Sequence, residues 1–264
     1  MKYKAIWITA AAIALFGCNS NNQKQETQTA TKDTLGYTNQ TILETSDNCN
    51  GKTKDSCATA QFTYPVFKGR DALNDSVKSK LIYFFNAAKD PADDLRGCAK
   101  IFLKAYAFNK KQKPNIPPFK LNSSTKVMTQ YQGLTTIGAG VYIYMGYGEG
   151  HQILRFINWD QKANKELKLN DLLTEGYSQK LNKIAEVIFR QNEHLSDTAS
   201  FQPKFHFKGN KFWLTDNYLI TPNGLGFYYN RYQLSGLKPI EILVPYDQLK
   251  RLIKPNTVLS QFIK

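Results

Sequence analysis

Residues 141–160 read VYIYMGYGEGHQILRFINWD. Two apolar runs, Val141 to Met145 and Ile153 to Trp159, flank a corner that carries Gly146, Gly148 and Gly150. β-Branched and aromatic runs on either side of a glycine-rich corner predict an antiparallel hairpin, the glycines supplying positive φ angles. Glu149 and His151 sit two apart inside that corner. They pose the functional question: chemistry, a ligand contact, or a turn that happens to hold a histidine.

Toward the N-terminus the same period of two continues. Val127, Thr129 and Tyr131 alternate with polar residues, and Phe62 to Phe67 alternates up to Gly69, with Pro65 at a place an edge strand tolerates. Between these lie two helical stripes, Leu73, Val77, Leu81, Phe84 and Ala88, then Leu95, Cys98, Phe102 and Tyr106, separated by Asp90-Pro91. Steps of three and four predict core-facing helices. Toward the C-terminus, Tyr177, Leu181, Ile184 and Ile188 predict an amphipathic helix ending near Asn192. The last third reads as β-rich. Phe205, Phe207, Phe212 and Leu214 bracket Gly209-Asn210, Asn223-Gly224 marks a second hairpin, and Ile240 to Pro245 leads into a short helix from Tyr246. Strands and helices come in blocks, so the class is α+β with antiparallel sheets, two N-terminal helices, a central amphipathic helix and a short C-terminal one. The corner divides the folded part into an N-terminal α+β subdomain, 61–145, and a C-terminal one, 146–264.

The N-terminus predicts an address. Lys2 and Lys4 precede an apolar run, Ala5 to Phe16, too short to span a bilayer, followed by Gly17-Cys18. This resembles a lipoprotein signal peptide, 1–18, with Cys18 as the lipidated residue. Residues 19–60 are mostly Asn, Gln, Thr, Ser, Lys and Asp, which predicts a flexible tether with a reach of roughly 35 Å. No acidic cluster follows Cys18. That favours a periplasm-facing anchor in the cell envelope, the outer membrane ahead of the inner.

Removal of Lys2 and Lys4 leaves 33 basic against 21 acidic residues, a net +12. Such a body suits anionic neighbours such as cell-wall carboxylates or acidic glycans, and the compartment excludes nucleic acid. Of the other cysteines, Cys49 and Cys57 would close a small loop in an oxidising compartment, leaving Cys98 on a helix; Cys57 with Cys98 is the rival pairing. The three histidines, 151, 194 and 206, and the absence of Cys-x-x-Cys or His-x-x-x-His give no reason to expect a metal or cofactor.

Several short motifs resemble one family. They are Phe62-Tyr64-Pro65, Gly148-Glu149-Gly150-His151, Trp159-Asp160, Asn164-Lys165, Leu169-Asn170-Asp171-Leu172 and Val244-Pro245-Tyr246 with Leu249. Their order is similar to that of the RsiV-like extracytoplasmic module of lysozyme-sensing anti-sigma factors, also found ahead of the catalytic domain in some peptidoglycan deacetylases. The resemblance covers nearly all of 61–254. It implies a binding module whose ligand could be a lysozyme. The family's acidic, proline-bearing segment is replaced here by Gln233-Leu234-Ser235-Gly236, and the deacetylase metal motifs are absent.

The sequence therefore predicts a non-catalytic, membrane-anchored binding lipoprotein. Tyr147, Glu149, His151, Trp159 and Asp160 are its candidate ligand contacts, and anionic cell-wall glycan is its leading partner. A lysozyme-binding or inhibiting protein is the alternative, weakened because a basic body repels basic lysozymes. A hydrolase or deacetylase-like enzyme, with His151 served by nearby carboxylates such as Asp160 or Asp171, is the third reading.

Overall fold

The computed structural model describes residues 34–49, 56–85, 92–236 and 238–263, with the backbone of residues 27 and 28. The segment expected to be a signal peptide, with Cys18, lies outside the described residues. Seven strands form the first sheet in chain order: β1 (Thr27–Gln28), β2 (Tyr37–Thr45), β3 (Thr59–Phe67), β4 (Lys120–Tyr131), β5 (Leu134–Tyr144), β6 (His151–Asp160) and β7 (Lys165–Glu166). All neighbours are antiparallel except β3 and β4, which run parallel and are joined through α1 (Asp71–Ile82) and α2 (Leu95–Gln112). A parallel pair needs such a crossover, and the two helical stripes supply it. Leu73, Val77 and Leu81 of α1 and Leu95, Cys98, Phe102 and Tyr106 of α2 pack on one face of the sheet with Phe62, Ile137, Val141 and Trp159.

The second unit begins beyond β7 with α3 (Leu169–Leu172) and α4 (Tyr177–Asn192). It continues with a three-stranded meander of β8 (Tyr218–Thr221), β9 (Gly224–Tyr229) and β10 (Ile240–Pro245), in order β10-β9-β8, and ends with α5 (Tyr246–Leu249). Leu181, Ala185 and Phe189 of α4 enter a second core with Ile220, Phe227, Ile242 and Leu249. The α+β class and its helices match the sequence reading. Among the described residues no helix is long and apolar enough to cross a membrane.

Four expectations change. Residues 37–45, assigned by composition to the tether, form β2 and pair with β3 along their whole length. A strand with most of its outer side unpaired, β1 meeting only Tyr37 and Thr38, needs few apolar residues: Tyr37 and Ile42 reach the first core, while Thr41 faces Thr63 with hydroxyl oxygens 3.1 Å apart. β3 is consequently interior, not an edge. Its pairing with the parallel β4 ends at Thr63, opposite Ser124, so Pro65 lies past the end of that ladder. The boundary at 145/146 also moves, because β6 pairs with β5 over ten residues and belongs to the first sheet. Finally, residues 205–214 are not a hairpin. Phe201, Phe205, Phe207 and Phe212 gather edge-on or tilted around Phe189, at 4.9–5.8 Å between ring centroids, so aromatic packing rather than a ladder fixes this segment.

Cys49 and Cys57 are bonded, and Cys98 is a buried free thiol, its pKa pushed up to about 11 by burial and by the nearby Asp94.

The two sheets meet through side-chain amides. β5 occupies one edge of β6, and Asn217 and Asn230 cap backbone groups on the other. Asn230 accepts from the Leu154 N–H at 2.7 Å, and Asn217 accepts from the Phe156 N–H at 3.1 Å. Both amides donate back to the Leu154 carbonyl, at 2.8 and 3.1 Å. Asn158, in turn, donates to the Tyr218 carbonyl and accepts from the Ile220 N–H, both at 2.8 Å. Asn158 and Asn217 are buried. An open edge must be paired or covered, and here three amides do it in place of a strand.

Candidate functional site

The β5–β6 corner is built as the glycines require. Gly146 and Gly148 hold positive φ, at 84° and 60°. Gly150 does not; its need is for space, because a Cβ there would come within 2.2 Å of the Tyr142 ring. The corner thus presents Tyr147, Glu149 and His151 at the surface. Tyr147 is 56% exposed and lies under the Lys113 ammonium, 5.0 Å from its ring centroid. Glu149 accepts from Arg231 at 2.7 Å. His151 stands edge-on to Tyr232, with centroids 5.2 Å apart.

Tyr232 is the unusual member. It is 53% exposed and holds φ at 68°, a conformation a bulky side chain rarely adopts. Its N–H donates to the Ser235 carbonyl at 2.8 Å, and the Arg231 guanidinium lies 4.9 Å over its ring. Strained residues of this kind concentrate at functional sites. Arg231, Tyr232 and Lys113 were not among the sequence candidates. The replaced segment at Gln233 to Gly236 was the nearest signal, since it forms the turn that holds Tyr232.

The other two candidates sit elsewhere. Trp159 and Asp160 close β6 eight and nine residues from His151, about 26–30 Å along the strand. Trp159 is buried in the first core, so it offers no stacking face. β6 presents it toward the α1–α2 layer, a position that an aromatic count does not reveal. Asp160 accepts from the Lys162 and Ala163 N–H groups at 2.8 Å and closes the turn after β6. Asp171 accepts from Lys165 at 2.5 Å and from the Lys168 N–H at 2.8 Å. Burial alone would raise its pKa, but those bonds leave it below the ordinary carboxylate value. The far end of β6 therefore places neither Asp160 nor Asp171 beside His151. Among the described residues no group of three His, Cys, Asp or Glu side chains could hold a metal ion.

A cleft of about 250 Å³ opens between the two units, lined by Lys80, Arg155, Asn158, Glu166, Lys168 and Tyr177 among others. Glu166 accepts from Lys80 at 2.8 Å and from Lys168 at 2.9 Å. Burial would raise its carboxyl, and the two ammonium groups outweigh that and hold it below its usual range. Arg155 lies 5.0 Å from the centroid of the Tyr83 ring and 3.4 Å from the exposed Asp216 carboxylate.

No curated protein matches the chain. Several solved structures resemble it, among them two of one family. A DUF3298 family protein from Pseudomonas aeruginosa PAO1 superposes with a TM-score of 0.68 at 22% identity, covering 85% of this chain and 96% of its own. A DUF3298 family member from Bacteroides fragilis NCTC 9343 gives 0.65 at 20% identity, covering 86% and 97%. Within the chain, residues 170–247 match the model of DUF3298, a protein family of unknown function. At these identities the structural likeness is one of fold, and the family match marks α3 to the start of α5 as the segment resembling DUF3298.

Proposed function

We propose that the protein is a non-catalytic binding lipoprotein of the cell envelope, anchored through Cys18, whose β5–β6 corner takes anionic cell-wall glycan. The strained, exposed Tyr232 carries this reading: nothing in core packing calls for a tyrosine held in a left-handed backbone with half its surface in water. Tyr147 and Tyr232 offer flat apolar faces to sugar rings. Lys113 and Arg231, against the single carboxylate of Glu149, leave the patch cationic toward acidic substituents. The net charge of +12 after signal removal supports the same choice of partner.

The test is calorimetry of the detergent-solubilised chain against soluble peptidoglycan fragments and, separately, a basic lysozyme, each at low and moderate salt. Fragment binding that falls at least tenfold in Tyr232→Ala supports the glycan reading. Salt-resistant binding of lysozyme alone would refute it and return the function to the ligand implied by the lysozyme-sensing resemblance.

A further inference from the structure

We propose that the cleft between the two sheets is a second binding site, specific for a small carboxylate, with Arg155 as the residue that reads the anion. It stands whether or not the corner takes glycan. Clefts at the junction of two packed units are preferred ligand sites, and this one is the size of about eight water molecules of liquid volume, enough for one sugar ring or one amino acid.

The charges are unequal in their freedom. Glu166 is held from three directions, by Lys80, Lys168 and the Ser76 hydroxyl, which donates at 3.3 Å. Those two lysines are thus committed to a carboxylate that is only 20% exposed. The pairing of Arg155 differs. Its side chain is 20% exposed, while that of Asp216 is 82% exposed and lies at the long distance of 3.4 Å. An exposed ion pair of that length is weak, so Asp216 is readily displaced. The guanidinium is backed by the Tyr83 ring, which restricts its motion, and Asn158 and Tyr218 line the cleft alongside it. A planar fork held in this way matches two carboxylate oxygens. Lys80, Arg155 and Lys168 against Glu166 and Asp216 leave a single positive charge, which suits a monoanion better than a doubly charged phosphate. Asp216 is then a built-in competitor, set against one nitrogen of the fork when no ligand is present.

The probes are N-acetylmuramic acid and N-acetylglucosamine, which share the sugar ring and differ by one lactyl carboxylate. Calorimetry of the full chain in detergent at low salt reads both. N-acetylmuramic acid binds and N-acetylglucosamine does not over the same range. Arg155→Gln weakens the binding at least tenfold. Asp216→Asn strengthens it several-fold, because the competing carboxylate is gone. Equal binding of the two sugars, binding of neither, or an unchanged affinity in Asp216→Asn would overturn the proposal. Should Arg155→Gln fail to fold, the exposed Asp216→Asn decides alone.

Discussion

Replacing Asn158 by alanine tests whether side-chain amides hold the two sheets together. The substitution removes two hydrogen bonds and leaves the Tyr218 carbonyl and the Ile220 N–H without partners, both on buried residues. An orphaned buried group costs about 1–3 kcal/mol, so the pair costs about 4 kcal/mol. For a chain of this size each kcal/mol moves the melting midpoint by roughly 2–4 °C, which predicts a fall of about 8–16 °C. Circular dichroism gives the midpoint, and hydrogen exchange at the Ile220 amide gives the local effect. Asn158→Asp sharpens the test. Its carboxylate still accepts from Ile220 but faces the Tyr218 carbonyl oxygen, so it loses at least as much stability at neutral pH. Protonation lets it donate again, and acidification should recover part of the loss. A midpoint shift below about 3 °C, with Ile220 as protected as before, would refute the joint.

Changing Cys49 and Cys57 together to serine opens a short loop, the partners being eight positions apart, and should lower stability by about 2–3 kcal/mol in urea unfolding. Gly150→Ala drives a Cβ into the outer end of the Tyr142 ring, a side chain able to swing away. It should therefore alter glycan affinity measured by calorimetry while moving the melting midpoint by only a few degrees. Glu166 titrates below its ordinary value of 4.5, so its contribution is full above that pH and is lost as pH falls through the lowered folded value. Urea unfolding of wild type and Glu166→Gln should then show a gap at pH 7 that narrows on acidification toward pH 3; a gap that widens would contradict the pairing with Lys80 and Lys168.

Much of the architecture was legible because it rests on local periodicity. Leu181, Ile184 and Ile188 mark α4 to its last residue, and the glycine corner marks the β5–β6 hairpin. β2 was hidden for a physical reason: a strand near a solvent-facing edge, its outer side met only by the two residues of β1, gains its stability from backbone pairing and a few buried side chains, so Thr, Asn and Gln fill it as readily as they fill a linker. Phe205 and Phe207 misled in the opposite sense. Alternation reports which side chains are buried, but it does not report whether the backbone pairs with a neighbour. The candidate corner was half visible. Glu149 and His151 were found from their turn, whereas Arg231, 82 residues beyond Glu149, and its neighbour Tyr232 are brought alongside by the Asn217 and Asn230 contacts to Leu154. Trp159 shows the converse error, an aromatic taken for a binding surface that serves the core instead.

The amide joint has an evolutionary consequence. Strands added to a sheet through a continuous ladder must arrive as a whole element in the correct register. A unit joined through three asparagines and a few apolar contacts, such as Leu134 in the second core and Phe156 against Tyr228, can be loosened or re-angled by point substitutions, with each sheet keeping its own strands paired. The stretch that matches the DUF3298 model, residues 170–247, lies on one side of this joint, whereas the two DUF3298-family structures superpose on 85–86% of the chain and so span both sides. Variation at positions 158, 217 and 230 is therefore a route by which relatives could reset the width of the cleft without redesigning either half.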